Sequence, residues 1–121
     1  MRYDSTERVP SKLQEGVVYE VARMSFGRRV ELMRRIRELA PRIEFHQAGG
    51  TDRDGLEASV LAADVDRTYL VWGLKGIHGL LIDGEAATPE SLCDTGPEEL
   101  FFEAVDAVKE LCQLNESARK N

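Results

Sequence analysis

Any chemistry in this chain would centre on residues 73–79, where Gly73, Gly76 and Gly79 recur every third position around Lys75 and His78. Those residue types are the parts of an anion cradle: close backbone N–H groups, a cation above them and an imidazole to move a proton. The spacing does not complete the set. A P-loop needs four residues between its glycines followed by Gly-Lys-Ser/Thr, and a dinucleotide fold needs G-x-G-x-x-G between a strand and a helix. "GLKGIHG" follows a helical pattern instead, so no helix N-terminus aims its N–H groups at a phosphate. The run reads as glycine ending a helix. A small ligand- or phosphate-binding protein or enzyme using Gly73–Gly79 is the alternative reading.

Other reactive side chains are scattered. His46, His78, Cys93 and Cys112 fit no metal-ligand spacing. Asp52, Asp54 and Gly55 resemble the start of a calcium loop, but its further acids are missing. Asp64 and Asp66, two apart, face different sides of a helix. No catalytic, cofactor or metal set is therefore expected, and the chain is not expected to be an enzyme. Two cysteines fit a reducing cytoplasm. The polar N-terminus does not read as a secretory signal, and no run approaches the ~20 apolar residues of a membrane span.

These residues sit on a mainly helical pattern with a minor β element. Residues 1–15 are polar and aperiodic and are expected to form a flexible arm, with one compact domain over 16–121. "GVVYEVARMS" alternates apolar and polar residues as a short strand, which must find a partner. Ser25 is a good N-cap for a helix whose stripe is Phe26, Val30, Met33, Ile36, Ala40 and Ile43. Pro41 should break that helix after Leu39, and Gly49-Gly50 should end it. Asp54 reads as the N-cap of a second long helix with Leu56, Val60, Ala63, Leu70 and Leu74 toward the core. Asp83-Gly84 suits a tight hairpin turn, one strand of which could pair with residues 17–23. Thr88-Pro89 and Gly96-Pro97 start two more helices, and a last short turn is expected over 114–121. Three helices dominate.

Charge is unevenly spread. Residues 1–50 carry ten Lys/Arg against seven Asp/Glu, a net of +3, and residues 51–121 carry six against fifteen, a net of −9. That polarity favours intramolecular docking, head-to-tail self-association or a basic partner, and disfavours nucleic acid. Arg28, Arg35 and Arg42 step by seven as a basic row. Phe101 and Phe102 cannot share one helix face, so one is expected to point outward. With Tyr69 and Trp72 these are the candidate partner-binding residues, since aromatics and arginines dominate interface hot spots.

The order of elements resembles the tail assembly chaperones of tailed phages and prophages. "VVYEVARMSFGRRVEL" is similar to their first strand and helix, and "VDRTYLVWGLKGIHGLLIDGEAATPESL" to their tryptophan-bearing helix and following turn. "GPEELFFEAVDAVKELCQLNESARKN" is similar to their acidic closing helix and polar tail. The resemblance implies a non-enzymatic protein that binds the phage tape-measure protein and assists assembly of the tail-tube protein around it in the bacterial host cytoplasm. A generic oligomeric adaptor is the remaining alternative.

Overall fold

The computed structural model of the chain describes residues 1–120, with side chains described as far as Cys112. It is mainly helical with a small antiparallel sheet and a hairpin, as expected. Its contacts divide it into two compact units, one made of Met1–Met24 with the chain from Tyr69 onward, the other of Ser25–Thr68.

The first unit is built on a three-stranded antiparallel sheet of β1 (Thr6–Pro10), β2 (Val18–Ala22) and β3 (Leu74–His78), with β2 in the middle. Alternation in β2 sends Tyr19 and Val21 inward, both fully buried, as is Val17 just before it. Two expectations change here. Thr6–Pro10, placed in a flexible arm, is a strand whose register runs from Thr6 opposite Ala22 to Pro10 opposite Val18. It has little apolar period of its own, and the ladder with β2 holds it. Pro10, lacking an N–H, sits at the end of an edge strand, where no ladder bond is lost.

The glycine run is the second change. Gly73 does end a helix, but Leu74–His78 then pairs with β2, with Tyr19 opposite Ile77 and Glu20 opposite Gly76. A bulge between Glu20 and Val21 shifts the register toward Leu74. The Asp83-Gly84 hairpin forms too, from β4 (Leu81–Ile82) and β5 (Glu85–Ala86), and both turn residues have positive φ, as a type I′ turn requires. Its strands pair with each other and not with residues 17–23.

Helix α4 (Pro89–Thr95) begins with a reciprocal cap in which the Thr88 hydroxyl accepts from Ser91 N and Ser91 Oγ accepts from Thr88 N. Helix α5 (Glu98–Lys120) packs on β2, and α4 packs on α5 and β3. The closing turn expected over 114–121 is a continuation of α5 to Lys120, and Asn121 lies outside the described residues. Leu92, Leu100, Ala104, Val105 and Val108 meet the sheet residues and Leu70, Trp72 and Leu74 in one core. Fully burying a large apolar side chain contributes roughly 1.5–3 kcal/mol. Gly73 lets helix and helix approach, because a Cβ there would collide with Val108.

In the second unit, Ser25 caps α1 (Phe26–Arg37) by accepting from Arg28 N at 3.3 Å. The expected break is present: α2 (Ala40–Gly49) starts afresh with Pro41 in its first turn, where a missing N–H costs nothing. Gly50 closes α2 in the left-handed region. Helix α3 (Asp52–Gly73) starts one cap earlier than expected. Thr51, not Asp54, is the N-cap, its hydroxyl accepting from Asp54 N at 3.0 Å. Residues of α3 through Thr68 belong to this unit and later ones to the first.

The core faces differ from expectation within residues 25–68, while Leu70 and Leu74 of the expected stripe are buried in the first unit. Phe26, Met33, Leu56 and Val60 are exposed, whereas Leu32, Ala58 and Leu61 are buried. On α3 the two sets lie on opposite sides, since Leu56, Val60 and Ala63 repeat on one face and Ala58, Leu61 and Val65 on the other. Both stripes satisfy a helical period. Packing, not period, selects the inner one.

Candidate interaction surfaces

A heavily hydrogen-bonded side chain of the first unit is Glu103, on α5. Its Oε1 accepts from Ser11 Oγ at 2.5 Å and from the Tyr19 phenol at 2.7 Å. Its Oε2 accepts from the backbone N–H of Lys12 at 2.9 Å and of Leu13 at 3.3 Å. Burial alone would raise this carboxyl's pKa, but bonds from Ser11, Tyr19 and the two N–H groups outweigh it and leave it lowered. The buried Tyr19 phenol moves the other way, raised by desolvation first and then by its bond to Glu103. One carboxylate thus ties the segment after β1 to both α5 and the middle strand.

That tie forms one wall of a groove of about 440 Å³ between residues 9–13 and α5. Val9, Leu13, Phe102 and Ala107 supply apolar surface, and Glu99, Glu103, Asp106 and Glu110 line it with negative charge against the one cation among its described lining residues, Lys12. Leu13 and Phe102 are exposed, so the groove holds apolar surface that the chain does not cover.

The second unit carries a smaller hollow, of about 400 Å³, beside His46, Gln47, Thr51 and Ala58. His46 Nδ1 lies 3.0 Å from Asp54 Oδ1, and the Thr51 hydroxyl donates to Asp54 Oδ2 at 2.6 Å. Asp54 is held below the usual carboxylate range, mainly by the Thr51 hydroxyl and next by His46. Both carboxylate oxygens are engaged in joining the end of α2 to the start of α3. This is a clasp. More prominent in this unit is uncovered apolar surface: Phe26 and Met33 on α1, Phe45 on α2, Leu56 and Val60 on α3.

The sequence-derived candidates fare unevenly. Arg28 and Arg35 stand on α1 and Arg42 on α2, so the helix break interrupts their row; Arg35 pairs with Glu31 at 2.7 Å. Trp72 is 3% exposed and offers no surface to a partner; its indole Nε1 has no hydrogen-bond partner among the described residues. Tyr69 is half-buried with the Lys109 ammonium 5.2 Å above its ring. Phe101 is half-buried and Phe102 exposed, their rings edge-to-face at 5.2 Å, so Phe102 is the outward member. Lys75 and His78 are exposed on β3, with His78 Nε2 3.8 Å from Glu20 across the ladder. The glycine run is a ladder strand, not a turn folded around an anion.

Glu103 and the acidic groove were missed. A clue was available in the spacing of Glu99, Glu103, Asp106 and Glu110, steps of four, three and four that put them on one side of the closing helix. What it faces depends on residues 9–13, ninety positions away. Among the described residues no three His, Cys, Asp or Glu side chains are placed to hold a metal ion, and no helix is long and apolar enough to cross a membrane. Comparison with protein families, curated proteins and solved structures finds no match to this chain.

Proposed function

We propose that the chain is a non-enzymatic assembly chaperone of the phage tail type, which holds a long helical client, the tape-measure protein, while the tail-tube protein assembles around it. The observation that carries this reading is the uncovered apolar surface of residues 25–68. Leu56 is 70% exposed and Val60 58% exposed, one turn apart on α3, and Phe45 on α2 is 71% exposed. Exposed apolar stripes on helices mark helix-to-helix recognition, in which a client's apolar face covers them. The order of elements described from the sequence supports the identity of the client.

The test is co-expression of the full chain with a phage tape-measure protein. The expected result is co-purification and a gain in client solubility, both lost in Leu56→Asp with Val60→Asp. Client solubility that is unchanged by the native chain would end the proposal. So would capture that survives the double substitution in a chain of native helix content.

A further inference from the structure

Helix α3 carries a charge pattern beside its uncovered apolar stripe. Leu56, Val60, Ala63 and Arg67 step by four, three and four, and all four are exposed, so they form one outward row. In heptad terms these are the seam positions of a helix that pairs with another helix. The residues that follow Leu56 and Ala63 are both acidic. Glu57 and Asp64, seven apart and exposed, run as a second row along one flank of the stripe. Asp52, one turn before Leu56, adds an exposed acid at the N-terminal end. Asp54 belongs to the clasp with Thr51 and His46 and not to this border. Across residues 51–68 five acids stand against two arginines, a net of −3.

An occupant of the stripe must therefore meet two conditions at once. It must be apolar along its centre to cover Leu56 and Val60, and basic along the side that meets Glu57 and Asp64. Anionic lipid, nucleic acid and acidic helices fail the second condition, since like charge opposes their approach. The length is set too. From Leu56 to Arg67 is about 17 Å at 1.5 Å per residue, about three helical turns.

We propose that the α3 stripe selects a client helix whose apolar seam is bordered by lysine or arginine at seven-residue intervals. The inference rests on the chaperone reading and states the chemistry of the client segment, which that reading leaves open. The client's seam covers Leu56, Val60 and Ala63, and its basic row pairs with Glu57 and Asp64. Flanking charges of this kind choose partner and orientation in paired helices.

Fluorescence anisotropy of two labelled peptides against the full chain tests it. Both are three heptads long, above the roughly 15 residues below which isolated helices are marginal. Both carry leucine along the seam; one has lysine in the flanking rows and the other glutamate. At low salt the native chain should bind the lysine peptide about tenfold more tightly, two attractive pairs standing in place of two repulsive ones. The preference should vanish at about 1 M salt, where the screening length falls to ~3 Å. Glu57→Lys with Asp64→Lys, at two exposed positions, should invert it, and Leu56→Asp with Val60→Asp should abolish binding of either peptide, all with native helix content by circular dichroism. A native chain that binds both peptides alike, or neither, overturns the proposal. Lysine-peptide binding that survives both pairs of substitutions does so equally, because it then lies on another acidic surface. The chaperone reading fails separately: the expected peptide preference with no gain in tape-measure solubility would end that reading and keep the charge rule, while client capture without a preference would do the reverse.

Discussion

The two units bury their apolar residues very differently. Of the eighteen buried apolar residues among those described, only Leu32, Ala58 and Leu61 fall in residues 25–68. The same stretch exposes Phe26, Met33, Phe45, Leu56 and Val60. The first unit holds the other fifteen, with the three-stranded sheet and helices α3, α4 and α5 converging on Tyr19, Leu70, Leu92 and Val108, although it too exposes Leu13, Leu81 and Phe102. Stability therefore resides in the sheet-bearing unit, while the helical unit leaves much of its apolar surface exposed. Segments with few buried contacts open at lower free energy than cores do, which would suit the client surface proposed above.

The sharpest way to break this contrast is a pair of matched truncations. Leu92→Ala, fully buried beside α5, should cost about 2–5 kcal/mol in chemical denaturation. Leu56→Ala should stay within about 0.5 kcal/mol, because the residue is 70% exposed. Equal losses would mean that the helical unit has a core of its own. Next in size is Gly79→Ala in the first unit. Gly79 has φ +81°, and a Cβ there would collide with the Gly16 carbonyl oxygen, so strain of about 1–3 kcal/mol should appear as a lowered denaturation midpoint. The same change at Gly27, which has open space around it, should cost nothing beyond helix propensity, where alanine is favoured.

The last effect concerns Glu103 and shows itself through pH. Its folded pKa lies below the ordinary carboxylate value, so the stability it adds is present above that ordinary value and is lost as pH falls through the folded one. Glu103→Gln should cost about 1.5–2 kcal/mol at neutral pH, the low end of the range for hydrogen bonds to a charged group. The gap between variant and native chain should close on acidification below about pH 4. A gap that persists unchanged in acid would show that packing, and not the ionised carboxylate, holds residues 11–13.

Local signals in the sequence translated well, because each carries its own geometry. Ser25 and Thr88 cap helices, Pro41 restarts one, Gly50 ends one, and Asp83-Gly84 turns a hairpin. What was not legible depended on a distant partner. Thr6–Pro10 has no apolar period to announce a strand, and β3 looks like punctuation until β2 is set beside it. The choice between the two stripes of α3 was equally hidden, since both have the same period. The groove joins residues 9–13 to 99–110, and charge spacing on α5 alone could not reveal its other wall. Chemistry-bearing residue types drew attention to Lys75 and His78, while Glu103, a side chain with several partners, lay in an ordinary-looking acidic helix.

The placement of β3 beside β2 has a consequence for how this chain can diversify. Residues 25–68 are an excursion between two strands of one sheet, so the first unit experiences them mainly as a closed loop. Loop-closure entropy grows only with the logarithm of length, about 0.6 kcal/mol for each doubling. Helices within the excursion can therefore lengthen, shorten or change their outward residues at little cost to the sheet. A scaffold wired this way can exchange one binding partner for another while inheriting its fold unchanged.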